Sequence, residues 1–516
     1  MNKQKITFNL LDNEWIPCSM IDGTFRKLGI NQVIQDAFQI RDVNFQNPLA
    51  QASIYRLLLA ILHRNFGPEN KSEWIRIYKQ KCWDDAILSP YFKRWNDRFE
   101  LFNEPENRFY QVKITPKDSS PVTILDLSRA SGNNKTLFDH TWDTKDPQME
   151  VSEVASLLLA VQNFSPSTKA GRDNQYPHSS LASGIVMFLK GKNLFESLML
   201  NFIQYNNSQP WDREGRDDIP FWEHDNKEIY FEKIRPDGYL DYLTWQSRKL
   251  WLEGVHQENG NILVQDIYVS PGLDLKKFIQ KDPQKAYKTK VIRKRKEYHP
   301  LVSFEQDKKV WRELETLLQL NNSMNTAINW ISRIKRTFPT SPKLEIFGFT
   351  RGTTAAAIKA WHRVEVPLSS AIFDPKKNPD FLSSMGSCIS HHEEIISYLI
   401  ELLKKVAREY LYQNKDIKPD WIKVTDLLAT KYQVEIQYWN RIEPYFYLFL
   451  EELYDAPEPR VKIVIEKWTL KAIKVATEIF NSIQRDLRNQ YEIFKILVKN
   501  RGLFYYKLNE LKNKLR

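Results

Sequence analysis

Val461, Ile465, Trp468, Ala472, Val475 and Ile479 stand alternately four and three residues apart. That spacing lays all of them along one stripe of an α-helix, and such a stripe must be covered by neighbouring helices. Ile395, Leu399, Leu402 and Val406 repeat the pattern one helix earlier. Between two such segments lies Asp455-Ala456-Pro457-Glu458-Pro459. Proline restricts the residue before it and ends helical continuity there. The pattern predicts helices at about 387–413, 418–453, 459–484 and 487–515, the second kinked at Pro444. The chain therefore ends in a four-helix bundle over 367–516.

Upstream, residues 1–366 read as one large mixed α/β domain, so the fold class is α+β. Ile6, Phe8 and Leu10 alternate as in a strand. Asn47-Pro48 starts a helix, Asn as cap and Pro at the first helical position. Ile54, Leu57, Leu58, Ile61 and Leu62 then mark one apolar helical face. Further helices are expected around 71–80, 151–163, 194–204 and 309–336, with loop-rich stretches at 101–150, 165–183 and 253–300. No repeat of 20–50 residues is visible.

A chain of 516 residues exceeds what one core usually organises. Its apolar runs fall short of the roughly 18 residues of a membrane helix, and MNKQKITFNLLDNEWIP lacks a signal-peptide core. Cys18, Cys82 and Cys388 are too scattered for a disulfide framework or a zinc knuckle. The expectation is a cytoplasmic globular protein with reduced thiols.

The net charge of +11 is unevenly distributed. Residues 276–297 hold ten Lys/Arg against two acids, and 457–516 hold fourteen against six, which leaves the remainder mildly acidic. Concentrated positive charge suits a polyanion. Across KAYKTKVIRKRKEYHP, residues 285–300, Tyr287 and Tyr298 interleave with the cations, and aromatic faces beside Lys and Arg suit bases as well as phosphates.

Catalytic patterns are scarce. Gly184 and Gly191-Lys192 are spaced too widely for a P-loop, and the intervening IVMFLK reads as a strand. There is no Gly-x-Ser-x-Gly elbow. His224-Asp225 is the dipeptide of HD phosphohydrolases without evident further ligands. His391 and His392 point about 100° apart on a helix, and Glu393-Glu394 read as charge at a helix N-terminus. The residues alone indicate a nucleic-acid-binding component.

Several stretches resemble a known family. Phe8-Asn9-Leu10-Leu11-Asp12 with Trp15-Ile16-Pro17 is similar to the N-terminal signature of CasA, the large subunit of the type I-E CRISPR surveillance complex, Cascade. Matches follow in order at Tyr55-Arg56-Leu57-Leu58-Leu59-Ala60, at 133–140 (NNKTLFDH), at 191–198 (GKNLFESL), at Pro220-Phe221-Trp222-Glu223 and at 243–248 (LTWQSR). The resemblance covers essentially the whole chain. It implies a subunit without catalysis or cofactor. Such a subunit inspects double-stranded DNA for a protospacer-adjacent motif (PAM) and helps open the duplex for R-loop formation. It also supports recruitment of a separate helicase-nuclease. Pairing with a guide RNA reads the target, while protein reads the PAM and duplex shape. The implied partners are the guide RNA at its 5′ handle, duplex DNA, and the backbone, handle-binding and small subunits of Cascade.

Position by position, the resemblance implies four functional loops. Leu137, Phe138, Asp139 and His140 match a loop near the guide handle and the PAM. Lys169, Ala170, Gly171 and Arg172 fall on a glycine-rich loop against the DNA backbone; one glycine stands here, leaving charge to replace close approach. Lys285 and Lys288 are candidates for a lysine in the minor groove, with Lys290, Arg293, Lys294, Arg295 and Lys296 as the adjoining basic patch. Arg351, Thr353, Thr354 and Ala355 fall on a strand-separating wedge, without the glutamine some members carry there. No metal site is implied. Two rival readings are a metal-dependent nuclease or phosphohydrolase centred on His224-Asp225, and a purely structural helical scaffold whose bundle only holds neighbouring subunits.

Overall fold

The structure is a computed structural model. It describes every residue except 1–5, 104–106, 115–118, 128–147, 171–173, 213–216, 226, 257–260, 276–279, 289–290, 294–295, 299, 306–308, 321–325, 335–341, 352–357, 369, 413–417 and 516. At 169, 170, 174, 256, 291–293, 296–298, 370, 371, 455, 458 and 459 it describes backbone alone. The chain divides into two compact units, one of residues 1–306 with 320–370 and the other of 307–319 with 371–516. No helix among the described residues is long and apolar enough to cross a membrane.

In the first unit, strands β1 (Ile16–Met20), β2 (Phe25–Leu28) and β3 (Ile40–Val43) form an antiparallel sheet with β1 in the centre. The expected strand at Ile6, Phe8 and Leu10 is absent, and only Asn9 makes an isolated bridge, to Glu100. Local side-chain bonds compete with pairing there: Asn13 Oδ1 accepts the Asn9 N–H and Asn9 Oδ1 accepts the Leu11 N–H. The chain turns instead of extending.

Helix Pro48–Phe66 is capped as its sequence requires, Asn47 Oδ1 accepting the Leu49 N–H at 2.9 Å. It buries far more than one face, since every residue from 48 to 63 is inside. Helix Val151–Phe164, helix Tyr239–Leu243 and a three-stranded sheet all pack around it. At about 1.5–3 kcal/mol for each large apolar side chain removed from water, this helix is the centre of the unit's stability.

Two short strands, β4 (Ser120–Pro121) and β5 (Met149–Glu150), precede the hairpin of β6 (Thr168–Ala170) and β7 (Asn174–Tyr176). Strand β8 (Val186–Lys190) is the expected IVMFLK strand. Strands β9 (Arg248–His256) and β10 (Ile262–Pro271) pair along their length, and β10 also receives β4 and β5. The stretch 253–300 is thus only partly loop, with Val264 and Ile267 of β10 fully buried. A small hairpin follows, β11 (Val291–Arg293) with β12 (Lys296–Tyr298). Strands β13 (Lys343–Arg351) and β14 (Ile358–Pro367) close the unit, in sheet order β14-β13-β8.

The second unit contains four long helices: Asn378–Leu411, Val434–Asp455, Glu458–Asp486 and Tyr491–Lys514. They pack as the apolar spacing demands. Trp468, Ala472, Val475 and Ile479 are buried, while at the start of that seam Val464 takes the inner place and Val461 and Ile465 are half-buried. The second expected helix is broken at Gln433, whose φ of +45° ends a preceding stretch of Trp421–Thr430; Pro444 lies within the helix that follows. The expected helix at 309–336 is likewise interrupted, as Val310–Glu313, Leu314–Leu317 and Ala327–Ile334. Its Trp311 belongs to this unit, fully buried and stacked on Phe446 at 4.2 Å.

Candidate nucleic-acid interface

The loops singled out by sequence rise from anchored roots in the first unit. Leu137, Phe138, Asp139 and His140 lie outside the described residues. Both flanks of their segment pair with β10, Pro121 opposite Asp266 and Met149 opposite Val264.

Lys169 and Ala170 are the end of β6; their side chains, and Gly171 and Arg172 entirely, lie outside the description. The root of this hairpin is held by Arg248, which is 5% exposed. One guanidinium nitrogen donates to Pro177 O at 2.7 Å and to Ser247 O at 2.8 Å, and the other donates to Pro166 O at 2.8 Å. The fork therefore ties the strand entering the hairpin to the strand leaving it, with the charge over the Tyr176 ring. Burial pulls Arg248 down to about 10. Beside it, Ser179 Oγ and Ser247 Oγ are 2.6 Å apart, and Gln162 donates to Gln246 and to Arg248 O.

Lys285 is buried, with 8% exposure. Its loop is fixed from beneath by Arg56 of the central helix. Arg56 Nη1 donates to Asp282 Oδ2 at 2.9 Å and to Gln284 Oε1 at 3.2 Å. Tyr242 OH donates to the same Asp282 oxygen at 2.7 Å, and the Asp282 N–H donates to Tyr287 OH at 2.7 Å. Burial, with Arg56 acting the same way, lowers Lys285 to about 8 against the opposing pull of Asp282. Lys288 is half-buried, its N–H on Pro300 O at 2.7 Å. Arg293 and Lys296 face each other as a backbone pair of β11 and β12; their side chains, and Lys290, Lys294 and Arg295, lie outside the description.

Arg351 ends β13 and is exposed. Its Nη2 donates to Ala182 O at 2.8 Å and to Ser183 Oγ at 3.1 Å. Thr353, Thr354 and Ala355 lie outside the described residues, between β13 and β14.

Cations of three of these roots act electrostatically on one residue that the sequence did not single out. His178, exposed just after β7, accepts the Ser167 N–H on Nδ1 at 3.0 Å. Partial loss of water around the ring lowers its pKa, and Arg351, Arg248 and Lys285 lower it further, while Asp274 acts oppositely. The hairpin root, the end of β13 and the Lys285 loop are therefore within electrostatic reach of one imidazole. Arg56 carried a signal, a lone cation within the apolar run YRLLLA, whereas Arg248 in LTWQSRKL has Lys249 beside it and stands among polar residues. Nothing in its neighbours marked His178.

His224-Asp225 is less suited to a metal. His224 Nε2 is 3.4 Å from Lys233 Nζ, and burial followed by Lys233 lowers the ring to about 4. Asp225 is 95% exposed and 3.6 Å from Arg98. Among the described residues, no third His, Cys, Asp or Glu joins this pair within ligand distance. The acidic trio that does assemble, Asp42, Glu345 and Glu365, is engaged by Lys190 and Arg363. In the second unit, His392 is fully buried, 3.0 Å from Tyr438 OH and against Trp468. Glu393 and Glu394 are mid-helix, not at its start, because the helix begins at Asn378; Glu393 accepts from Arg312 at 2.7 Å.

A family model described as CRISPR-associated protein Cse1 matches residues 9–479. The CRISPR-associated protein CasA/Cse1 of Thermus thermophilus is 25% identical over 538 residues, covering 99% of either chain. A crystal structure of Thermus thermophilus CasA superposes with a TM-score of 0.79 at 21% identity, covering 98% of this chain and 99% of that one. Cse1 from Acidimicrobium ferrooxidans gives 0.81 at 18% identity, with 99% and 100% covered. A chain of a CRISPR RNA-guided surveillance complex gives 0.73 at 18% identity, with 97% and 99% covered.

Proposed function

The chain belongs to the CRISPR-associated Cse1 family, also called CasA, and from that premise we propose that it is the PAM-reading large subunit of an RNA-guided surveillance complex. It works without catalysis of its own. Its partners are the guide RNA at the 5′ handle, the backbone, handle-binding and small subunits, double-stranded target DNA, and a helicase-nuclease that does the cutting. Cationic loops grip the duplex and help part its strands, and guide pairing then extends the R-loop.

One observation supports this reading above the others: the roots of three basic loops are each anchored, by Arg248, by Arg351 and by the Arg56–Asp282 pair, and cations of all three act electrostatically on His178. Anchored roots concentrate positive potential where a phosphate backbone could approach. Leu137–His140, Lys169–Arg172, Lys288 with the patch at 290–296, and Arg351 with Thr353, Thr354 and Ala355 are the proposed contacts.

The test is assembly with guide RNA and partner subunits, followed by selection of bound duplexes from a library randomised beside the target. Enrichment of a short flanking motif is the expected result. Binding indifferent to the flank overturns the reading. So does phosphodiester hydrolysis by the pure chain that His224→Ala abolishes, which would favour the phosphohydrolase instead.

A further inference from the structure

Deepening the duplex-reading function and resting on it, we propose that His178 and Arg351 together form a phosphate site for the DNA backbone, with His178 acting as a neutral hydrogen-bond donor. The Ser167 N–H points at Nδ1, so that nitrogen is the acceptor and the ring proton sits on Nε2. Nε2 makes no bond to the described residues, and the side chain is exposed. Protonating Nδ1 would break the bond to Ser167 and set two donors against each other. Arg351, Arg248 and Lys285 also disfavour a charged ring, with Asp274 as the opposing carboxylate facing it.

The same cations make the place attractive to an anion. Arg351 spends one nitrogen, Nη2, on Ala182 and Ser183, which fixes the guanidinium and leaves Nη1 and Nε as donors. Arg248 is committed to three carbonyls and Lys285 is buried, so these two contribute field rather than contact. The Ala182 N–H donates to Ser179 O at 3.1 Å, so a single turn separates His178 from the carbonyl that Arg351 holds, and a phosphodiester suits that pairing of a neutral N–H with a guanidinium.

The experiment uses the assembled complex and a fluorescein-labelled DNA duplex, with anisotropy read across a salt titration. His178→Asn keeps an acceptor for Ser167 and removes the outward donor. It is expected to weaken binding about threefold to tenfold, the worth of one hydrogen bond, without changing the salt slope. Arg351→Gln is expected to reduce that slope by about 0.9, one counterion's worth. His178→Gln, which restores an outward N–H, should recover most of the affinity.

Two results overturn the site: His178→Asn binding as tightly as the unmutated complex, or His178→Asn lowering the salt slope as Arg351→Gln does. Should the histidine variants melt early, a methylphosphonate scan of the duplex gives the second readout. One neutralised phosphate is expected to weaken the unmutated complex but not Arg351→Gln, and a scan with no such position overturns the site. An unmutated complex that binds no duplex at any salt brings down the function as well, which separates the two failures.

Discussion

Arg56 Nη1 lies 2.9 Å from Asp282 Oδ2, and neither side chain is more than 1% exposed. The pair joins the middle of the central helix to the loop carrying Lys285 and Lys288. Tyr242 and the Gln284 N–H complete the carboxylate's bonds, so the charges are paired and nearly saturated. Removing one partner leaves the other charged and buried. Arg56→Ala is expected to lower unfolding stability by about 3–5 kcal/mol, read by urea denaturation.

The same pair sets a pH dependence. Burial pushes Asp282 upward, but Arg56, Lys285, Tyr242 and the Gln284 N–H together hold it below the usual carboxylate range. A depressed folded pKa contributes stability that is present above the ordinary aspartate value, about 4, and is lost as pH falls through the folded one. Acid unfolding curves of the wild-type chain should show this loss. Asp282→Asn should flatten it, at the cost of lower stability at neutral pH.

Arg248 governs the hairpin that ends in Lys169 and Ala170. Arg248→Lys replaces a rigid fork by a single ammonium that cannot span Pro166 O and Pro177 O together. Hydrogen exchange is the measurement. Amides of 165–179 are expected to exchange faster in the variant, with those of the central helix unchanged. Arg248→Met leaves two buried carbonyls, Pro166 O and Pro177 O, short of a donor and is expected to cost at least about 2 kcal/mol.

Much of this scaffold was legible because it follows short-range rules. The Asn47-Pro48 start, the β8 strand and the bundle seam from Trp468 onward each depend on spacing within one element. What escaped depends on partners far apart in sequence. Full burial of the helix through His63 needs neighbours on every side, and an alternating apolar face cannot announce them. Lys285 looks like any cation of a basic loop, yet the Arg56–Asp282 pair draws it inside. His178 gains its meaning only from Arg248, Lys285 and Arg351, cations 70 or more residues away that act on its ring.

Glu345 offers a second pH test of opposite sign. It is fully buried, and burial together with Asp42 raises its pKa to about 7, against the pull of Lys190 and Arg363. From the ordinary glutamate value, about 4.3, up to the folded one, the native state holds a proton that the unfolded chain has released. This contribution to stability is therefore full at low pH and is lost as pH rises through that window. Glu345→Gln is expected to flatten the thermal stability profile between those limits; an unchanged slope would assign the proton elsewhere in the network.

Lys285 and Lys288 differ in burial, and that difference makes their substitutions informative. Lys288→Ala removes a charge from a half-buried position beyond the Arg56–Asp282 anchor. If the assembled complex binds duplex DNA there, the variant should bind all sequences more weakly and lose about 0.9 from its salt slope. Lys285→Ala acts on the fold instead, because the lysine is 8% exposed and its ammonium helps hold Asp282 charged. It is expected to lower the melting temperature and weaken duplex binding only through that loss. A Lys285→Ala complex that melts normally yet shows the reduced salt slope would transfer the DNA-contacting role from Lys288 to Lys285.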